Sequence, residues 1–243
     1  MAQVKEDKRL KKNYSVLVLD KSGSMSYVAD ATKKGFNEQV QELKLNADKF
    51  KDQEFYATFV TFNSSPELVF LNEKVEELYE LKEDVYKPAG TTAMFDAIGM
   101  AIEEVIKDLG DELDDDNNTV NAAVNVIIMT DGQENASSKQ NLKKVPGLIK
   151  ELQTTGKWTF ALIGANIDID ELAARINIPT ENAVSYTSNV TGTKKAFATM
   201  RQASNSYHDR RTRGITGQAL QESFFTNDEG EKMVADIEED DED

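Results

Sequence analysis

Apolar positions along the chain switch between two periods. From Ser15 the run SVLVLD is continuously apolar and ends at Asp20, which predicts a strand buried on both faces. After a Ser/Gly loop, Phe36, Val40, Leu43, Ala47 and Phe50 recur at three/four spacing and predict a helix with one inward face. Glu54–Asn63 is rich in aromatic and β-branched residues and predicts a second strand. The Asn-Ser-Ser-Pro cluster then signals a turn, with Glu67–Leu71 returning as a short hairpin partner. Ile98, Ala101, Ile102, Val105, Ile106 and Leu109 mark the next helix, and Ala123–Met129 a strand that stops at Thr130-Asp131-Gly132.

The same alternation continues. A helix is expected from about Ser138 to Thr155, closed by Gly156. Trp158–Ile163 reads as a strand, Asp170–Ile176 as a short helix and Ala183–Tyr186 as a last strand. Val190–Tyr207 is a final helix, with Phe197, Met200 and Tyr207 inward. Beyond Arg213 little order is expected, although Leu220–Phe225 has the apolar content to dock. Strands alternating with helices predict a doubly wound, mostly parallel α/β sheet, and such sheets bind ligands beyond the carboxyl ends of their strands.

Composition narrows the chemistry. The 243 residues include no cysteine, which excludes disulfides, thiolate metal sites and cysteine nucleophiles. A reducing, cytoplasmic setting fits that count, as does the polar N-terminus, which lacks the apolar core of a secretory signal. No apolar run is long enough to cross a membrane. The net charge of −16 argues against nucleic acid as a partner. Much of it is local: residues 227–243 hold ten acids and one lysine, a net of −9. That stretch is expected to be a disordered acidic tail.

The strand ends carry the candidate chemistry. Asp20-Lys21-Ser22-Gly23-Ser24 offers a carboxylate and two hydroxyls at every second position, with a glycine that lets the loop curl. All-oxygen donors with few carboxylates suit Mg²⁺ better than a Ca²⁺ cage. Alone, the fragment is also what a plain turn uses. Two more fragments sit at equivalent places: Gly90-Thr91-Thr92 before a helix, and Thr130-Asp131-Gly132 at the mouth of a strand. Together they aim oxygens at one crevice.

Rival chemistries fare worse. The single histidine, His208, is expected to lie exposed at a helix end, and no G-x-S-x-G accompanies it. Neither a P-loop nor G-x-G-x-x-G is present. Asp114–Asn118 resembles the start of an EF-hand loop, but Thr119 and Asn125 stand where that loop needs Gly and Glu. Arg210, Arg211 and Arg213 are read as cations at a helix C-terminus, with a clasp to the acidic tail as the alternative.

These three fragments, in this order, resemble the von Willebrand factor A (VWA) domain with a complete metal-ion-dependent adhesion site. The resemblance covers about Asn13 to Tyr207, between a polar extension (1–12) and a C-terminal extension (208–226) followed by the tail (227–243). Gly-Thr-Thr replaces the commoner Gly-Gly-Thr, and counting back from Ala97-Ile98 selects Thr92 over Thr91. The resemblance implies a Rossmann-like sheet of six strands, the first central and one short edge strand antiparallel. It implies metal ligation by Asp20, Ser22, Ser24, Thr92 and Asp131, with Mg²⁺ expected and Mn²⁺ or Ca²⁺ as alternatives. An Asp or Glu of a protein partner would complete the coordination, and the module would bind rather than catalyse. Lys21, Met25, Tyr27, Phe95, Gln133, Glu134 and Asn135 flank the three segments and are the expected partner-binding rim, with inward packing as the alternative for Met25 and Phe95. The resemblance also implies a stand-alone intracellular bacterial or phage type, an adaptor to an AAA+ ATPase or stress-response complex. The alternative is an assembly or adhesion component, such as a virion or surface protein.

Overall fold

The computed structural model describes residues 10–82, 85–113, 120–221, 224–227 and 231–233. Six strands form one sheet: β1 (Leu10–Asp20), β2 (Gln53–Phe62), β3 (Pro66–Lys74), β4 (Val120–Thr130), β5 (Trp158–Gly164) and β6 (Ala183–Ser185). Their order is β3-β2-β1-β4-β5-β6, and only the β2–β3 pair is antiparallel. The chain therefore has the expected VWA-like fold, with β1 central and the strands ending at Asp20 and Asp131 side by side.

Both faces of the sheet are covered, which is why its central strands are apolar throughout. On one face Leu17 and Leu19 of β1 pack under α1 (Ala29–Lys49) and α5 (Val190–Thr212). The alternate residues Val16 and Val18 pack under α2 (Met94–Leu113), α3 (Lys139–Thr154) and α4 (Ile169–Arg175). Helices α1 and α5 cross at Gly35, where a Cβ would lie 2.3 Å from the Phe197 ring. A side chain at that position would force the two helices apart.

Several boundaries differ from the sequence expectation. β1 reaches back to Leu10, where Lys11 and Lys12 meet Asp52 and Glu112 at 2.6 Å each and so satisfy their charges at the sheet's amino end. β3 runs on to Lys74 through a bulge at Asn72, whose φ of +46° is held by Thr58. α5 continues five residues past Tyr207, to Thr212. The chain beyond Arg213 is built into the body: Leu220, Phe224, Phe225 and Met233 are buried, with α6 (Gln218–Gln221) leading into them. Phe225 accepts from Met233 N at 2.7 Å, closing a small hairpin that includes Asn227 of the expected acidic tail. Met233, inside the acidic stretch, docks beside Phe225 and so offsets part of the ordering entropy there. Residues 234–243 and Asp114–Asn118 lie outside the described residues.

Candidate metal centre

Three loops meet at the carboxyl end of β1 and β4. Main-chain hydrogen bonds lace two of them to each other and to the end of β2: Lys21 N to Phe62 O at 2.7 Å, Ala89 N to Lys21 O at 2.9 Å, Gly23 N to Gly90 O at 3.1 Å and Ala93 N to Asn63 O at 2.7 Å; Asn135 N to Thr92 O ties in the third. Gly90 has a φ of +79°, and a Cβ there would come within 2.6 Å of Ser64 Oγ, so the turn demands glycine.

Within this frame Asp20 is fully buried. Its Oδ1 accepts from Ser22 N at 2.7 Å and its Oδ2 from Thr130 Oγ1 at 2.6 Å. Ser24 Oγ donates to Asp131 Oδ1 at 2.6 Å and lies 3.1 Å from Ser22 Oγ. Thr92 is 4% exposed, and its hydroxyl and that of Ser24 flank Gly132, at 3.7 and 3.6 Å from where a Cβ would stand. Asn135 fixes Thr92 by accepting from its N–H at 2.8 Å and donating its own N–H to Thr92 O at 3.1 Å. Thr91 turns outward, donating to Ser64 Oγ at 2.8 Å. The structure thus brings Asp20, Ser22, Ser24, Thr92 and Asp131 to one crevice and leaves Thr91 outside it.

The electrostatics of the crevice are unfavourable as it stands. Burial pushes the Asp20 carboxyl up to about 6, with the charge of Asp131 adding to it and hydrogen bonds from Thr130 and Ser22 opposing. Burial also raises Asp131, against hydrogen bonds from Ser24 and Ser188. No basic side chain among the described residues offsets either one; Lys21, the nearest in sequence, pairs with Glu67. Nor is there, among those residues, a cluster of three His, Cys, Asp or Glu side chains. The donor set is two carboxylates and three hydroxyls, which fits a hard divalent cation.

The expected rim is only partly a surface. Met25 and Phe95 are fully buried, because the helical turn Gly23–Val28 and the start of α2 aim them into the core. Glu134 turns inward, accepting from Phe95 N at 3.1 Å, Ala136 N at 2.8 Å and Ser137 N at 2.7 Å. Asn135 is committed to Thr92 and Lys21 to Glu67. Tyr27, Gln133 and Asn135 are exposed. Thr130, Tyr86 and Ser188 were missed by sequence reasoning. Thr130 was legible as the hydroxyl beside Asp131, but Tyr86, which donates to Asp20 O at 2.6 Å, arrives from a loop with no local signal.

His208 is a further correction. It is 1% exposed, wedged against Phe50, Phe55 and Tyr207, and burial followed by the charge of Arg211 pushes it down to about 3. Arg211 is likewise buried, its guanidinium donating to Asn121 O at 2.6 Å. Arg213 pairs with Asp209.

The von Willebrand factor type A domain family model matches residues 16–199, and the chain belongs to that family. Solved structures agree on the fold. A von Willebrand factor type A protein from Catenulispora acidiphila is 17% identical over 80% of this chain and 43% of its own, with a TM-score of 0.51. Proximal thread matrix protein 1 from the mussel byssus, with a zinc-occupied MIDAS motif, is 20% identical over 82% and 46%, at 0.52. The D319A mutant of the PilB minor pilin from Streptococcus sanguinis is 13% identical over 84% and 63%, at 0.55. The chain thus spans between 43% and 63% of the length of these structures. Among curated proteins none matches the chain.

Proposed function

We propose that the crevice is a metal-ion-dependent adhesion site that recognises an Asp or Glu of a protein partner. The observation that supports it is three hydroxyls gathered beside two buried carboxylates with no basic side chain among the described residues to offset them. Ser22, Ser24 and Thr92 would hold the cation through their hydroxyls, and Asp20 and Asp131 through water. When bound, the cation supplies a Lewis-acid position open to an outside carboxylate. The chain's own part is orientation. Ser24 gives its proton to Asp131 and so leaves its oxygen lone pairs for the crevice. Thr130 and the Ser22 N–H hold both oxygens of Asp20. Mg²⁺ is the expected ion by donor hardness, with Mn²⁺ and Ca²⁺ as alternatives; the mussel relative's zinc adds a fourth.

The reading is of a cytoplasmic binding module, not an enzyme; His208 sits at the opposite end of the sheet, where Gln53 reaches its carbonyl. An AAA+ ATPase or stress-response partner is a proposal of the resemblance alone. An assembly or adhesion role is the second reading, favoured by the names of two structural relatives, a byssus matrix protein and a minor pilin. Calorimetric titration of Mg²⁺, Mn²⁺ and Zn²⁺ into stripped protein tests the site. Saturable binding that is lost in Ser22→Ala/Ser24→Ala is expected; binding unchanged in that variant sinks the assignment. Capture of a partner from the native source with and without EDTA tests the recognition, and light scattering separates adaptor from assembly subunit.

A further inference from the structure

The loop between β6 and α5 belongs to none of the three motif segments, yet it closes over the crevice. Ser188 Oγ donates to Asp131 Oδ2 at 3.3 Å. Tyr27, exposed on the helical turn after Ser22, donates its hydroxyl to Ser188 O and also touches Ser188 Oγ. Since Ser188 has one proton and gives it to Asp131, the tyrosine proton is shared between the two serine oxygens.

Two residues earlier, Tyr186 is 3% exposed, and its hydroxyl has no hydrogen-bond partner among the described residues. Burial, and then the negative charges of Asp131 and Asp20, hold that phenol protonated. A buried hydroxyl left unpaired costs about 1–3 kcal/mol. Its counterpart Tyr86 reaches Asp20 O directly; Tyr186 has no such outlet.

We propose that this loop is a fourth wall of the site. Tyr186 donates to an outer-sphere oxygen beside Asp20 and Asp131, and Ser188, latched by Tyr27, is a positioning residue for Asp131. The inference rests on the reading of the crevice as a cation site. It adds to that reading a wall the motifs do not contain.

The test uses the full chain and Mn²⁺ alone, with calorimetry for affinity and thermal melts of the metal-free protein. Tyr186→Phe removes an unpaired polar atom, so the metal-free melting temperature should hold or rise, while Mn²⁺ affinity falls roughly tenfold, as for outer-shell partners elsewhere. Ser188→Ala should lose a similar factor, Ser188→Thr should restore it, and Tyr27→Phe should show a smaller loss. A purely structural role would lower the melting temperature and spare affinity. Wild-type affinity in Tyr186→Phe, or a lower melting temperature with unaltered affinity in Ser188→Ala, overturns the proposal. Asp20→Ala is measured beside them. If it loses Mn²⁺ while the loop variants bind normally, only the fourth wall fails; if the wild type does not bind, the cation reading falls and takes the wall with it.

Discussion

The two ends of the sheet both bury charge, and they handle it oppositely. At the amino end the guanidinium of Arg211 is sealed in, yet its protons go to Asn121 O and Oδ1, and Gln53 bridges Asn13, His208 O and Thr212. Apolar residues of the C-terminal arm then close over the region. At the carboxyl end Asp20 and Asp131 accept hydrogen bonds but find no positive charge among the described residues, and burial raises both. A buried ion whose hydrogen bonds tie it to the strands of its own chain contributes to a folded body. One left uncompensated is held ready for something from outside.

The sharpest break between the ends comes from the arm. Phe224→Ala opens the packing against Tyr207 and Phe225 and should cost about 3–5 kcal/mol in denaturant unfolding. Cation affinity should not change in the same variant; a parallel loss would show the two ends to be coupled.

Next in size is Asp20→Asn. The amide keeps both contacts, accepting from Ser22 N and donating to the Thr130 hydroxyl. The folded Asp20 titrates near 6 against a usual 3.8, so between these values the folded protein keeps a proton that the unfolded chain has lost. Stability from this group is therefore greatest below the lower value and falls as pH rises through the upper one. At neutral pH the Asn variant should be more stable than the metal-free wild type by up to about 3 kcal/mol, while failing to bind cation. The gap should close at about pH 4, and saturating Mn²⁺ should narrow it by stabilising the wild type only. An Asn variant no more stable than wild type at neutral pH would mean that Asp20 is not under strain.

His208 should slope the other way. Its folded value near 3 lies below the usual 6.5, so its contribution is complete above 6.5 and is lost as pH falls toward 3. His208→Phe should therefore gain on the wild type by about 2 kcal/mol near pH 5 relative to neutral pH, in melts at the two values. Equal pH profiles would place the imidazole in water instead.

The smallest contrast separates neighbours. Thr92→Val should weaken cation binding about tenfold, or ~1.4 kcal/mol, with Thr91→Val near wild type. Reversal of that order would move the hydroxyl ligand to the residue that now contacts Ser64.

Legibility in the sequence divides along the same line. The strands and the acids at their ends could be read from apolar runs broken by a carboxylate, because parallel strands are buried on both faces. The antiparallel edge was legible from its turn, but not its length: Asn72-Glu73-Lys74 is polar and joins the strand only through the bulge at Asn72, held by Thr58. Whether Met25 and Phe95 face inward was not legible, because no period governs a helical turn or the first residues of a helix. His208 was misread because its burial depends on contacts with Phe50 and Phe55, far off in the chain, whereas the docking of Leu220–Phe225 was legible from its apolar content. Ser188 and Tyr186 carried no signal, since a loop's approach to Asp131 is fixed by the strand order.

The lacing of the three loops has a consequence for how such a site is kept through evolution. Its scaffold is made of peptide groups, from Lys21 to Phe62 and from Gly23 to Gly90, and peptide groups are common to every sequence. Apart from Gly90, where a side chain would meet Ser64, side chains on that scaffold can be exchanged without redrawing it. Because the loops are already joined, an incoming ion would meet a frame with little conformational freedom left to surrender. Selection can then act on a handful of donor atoms, changing which ion or partner is preferred, while the frame persists beneath extensive drift in the residues around it.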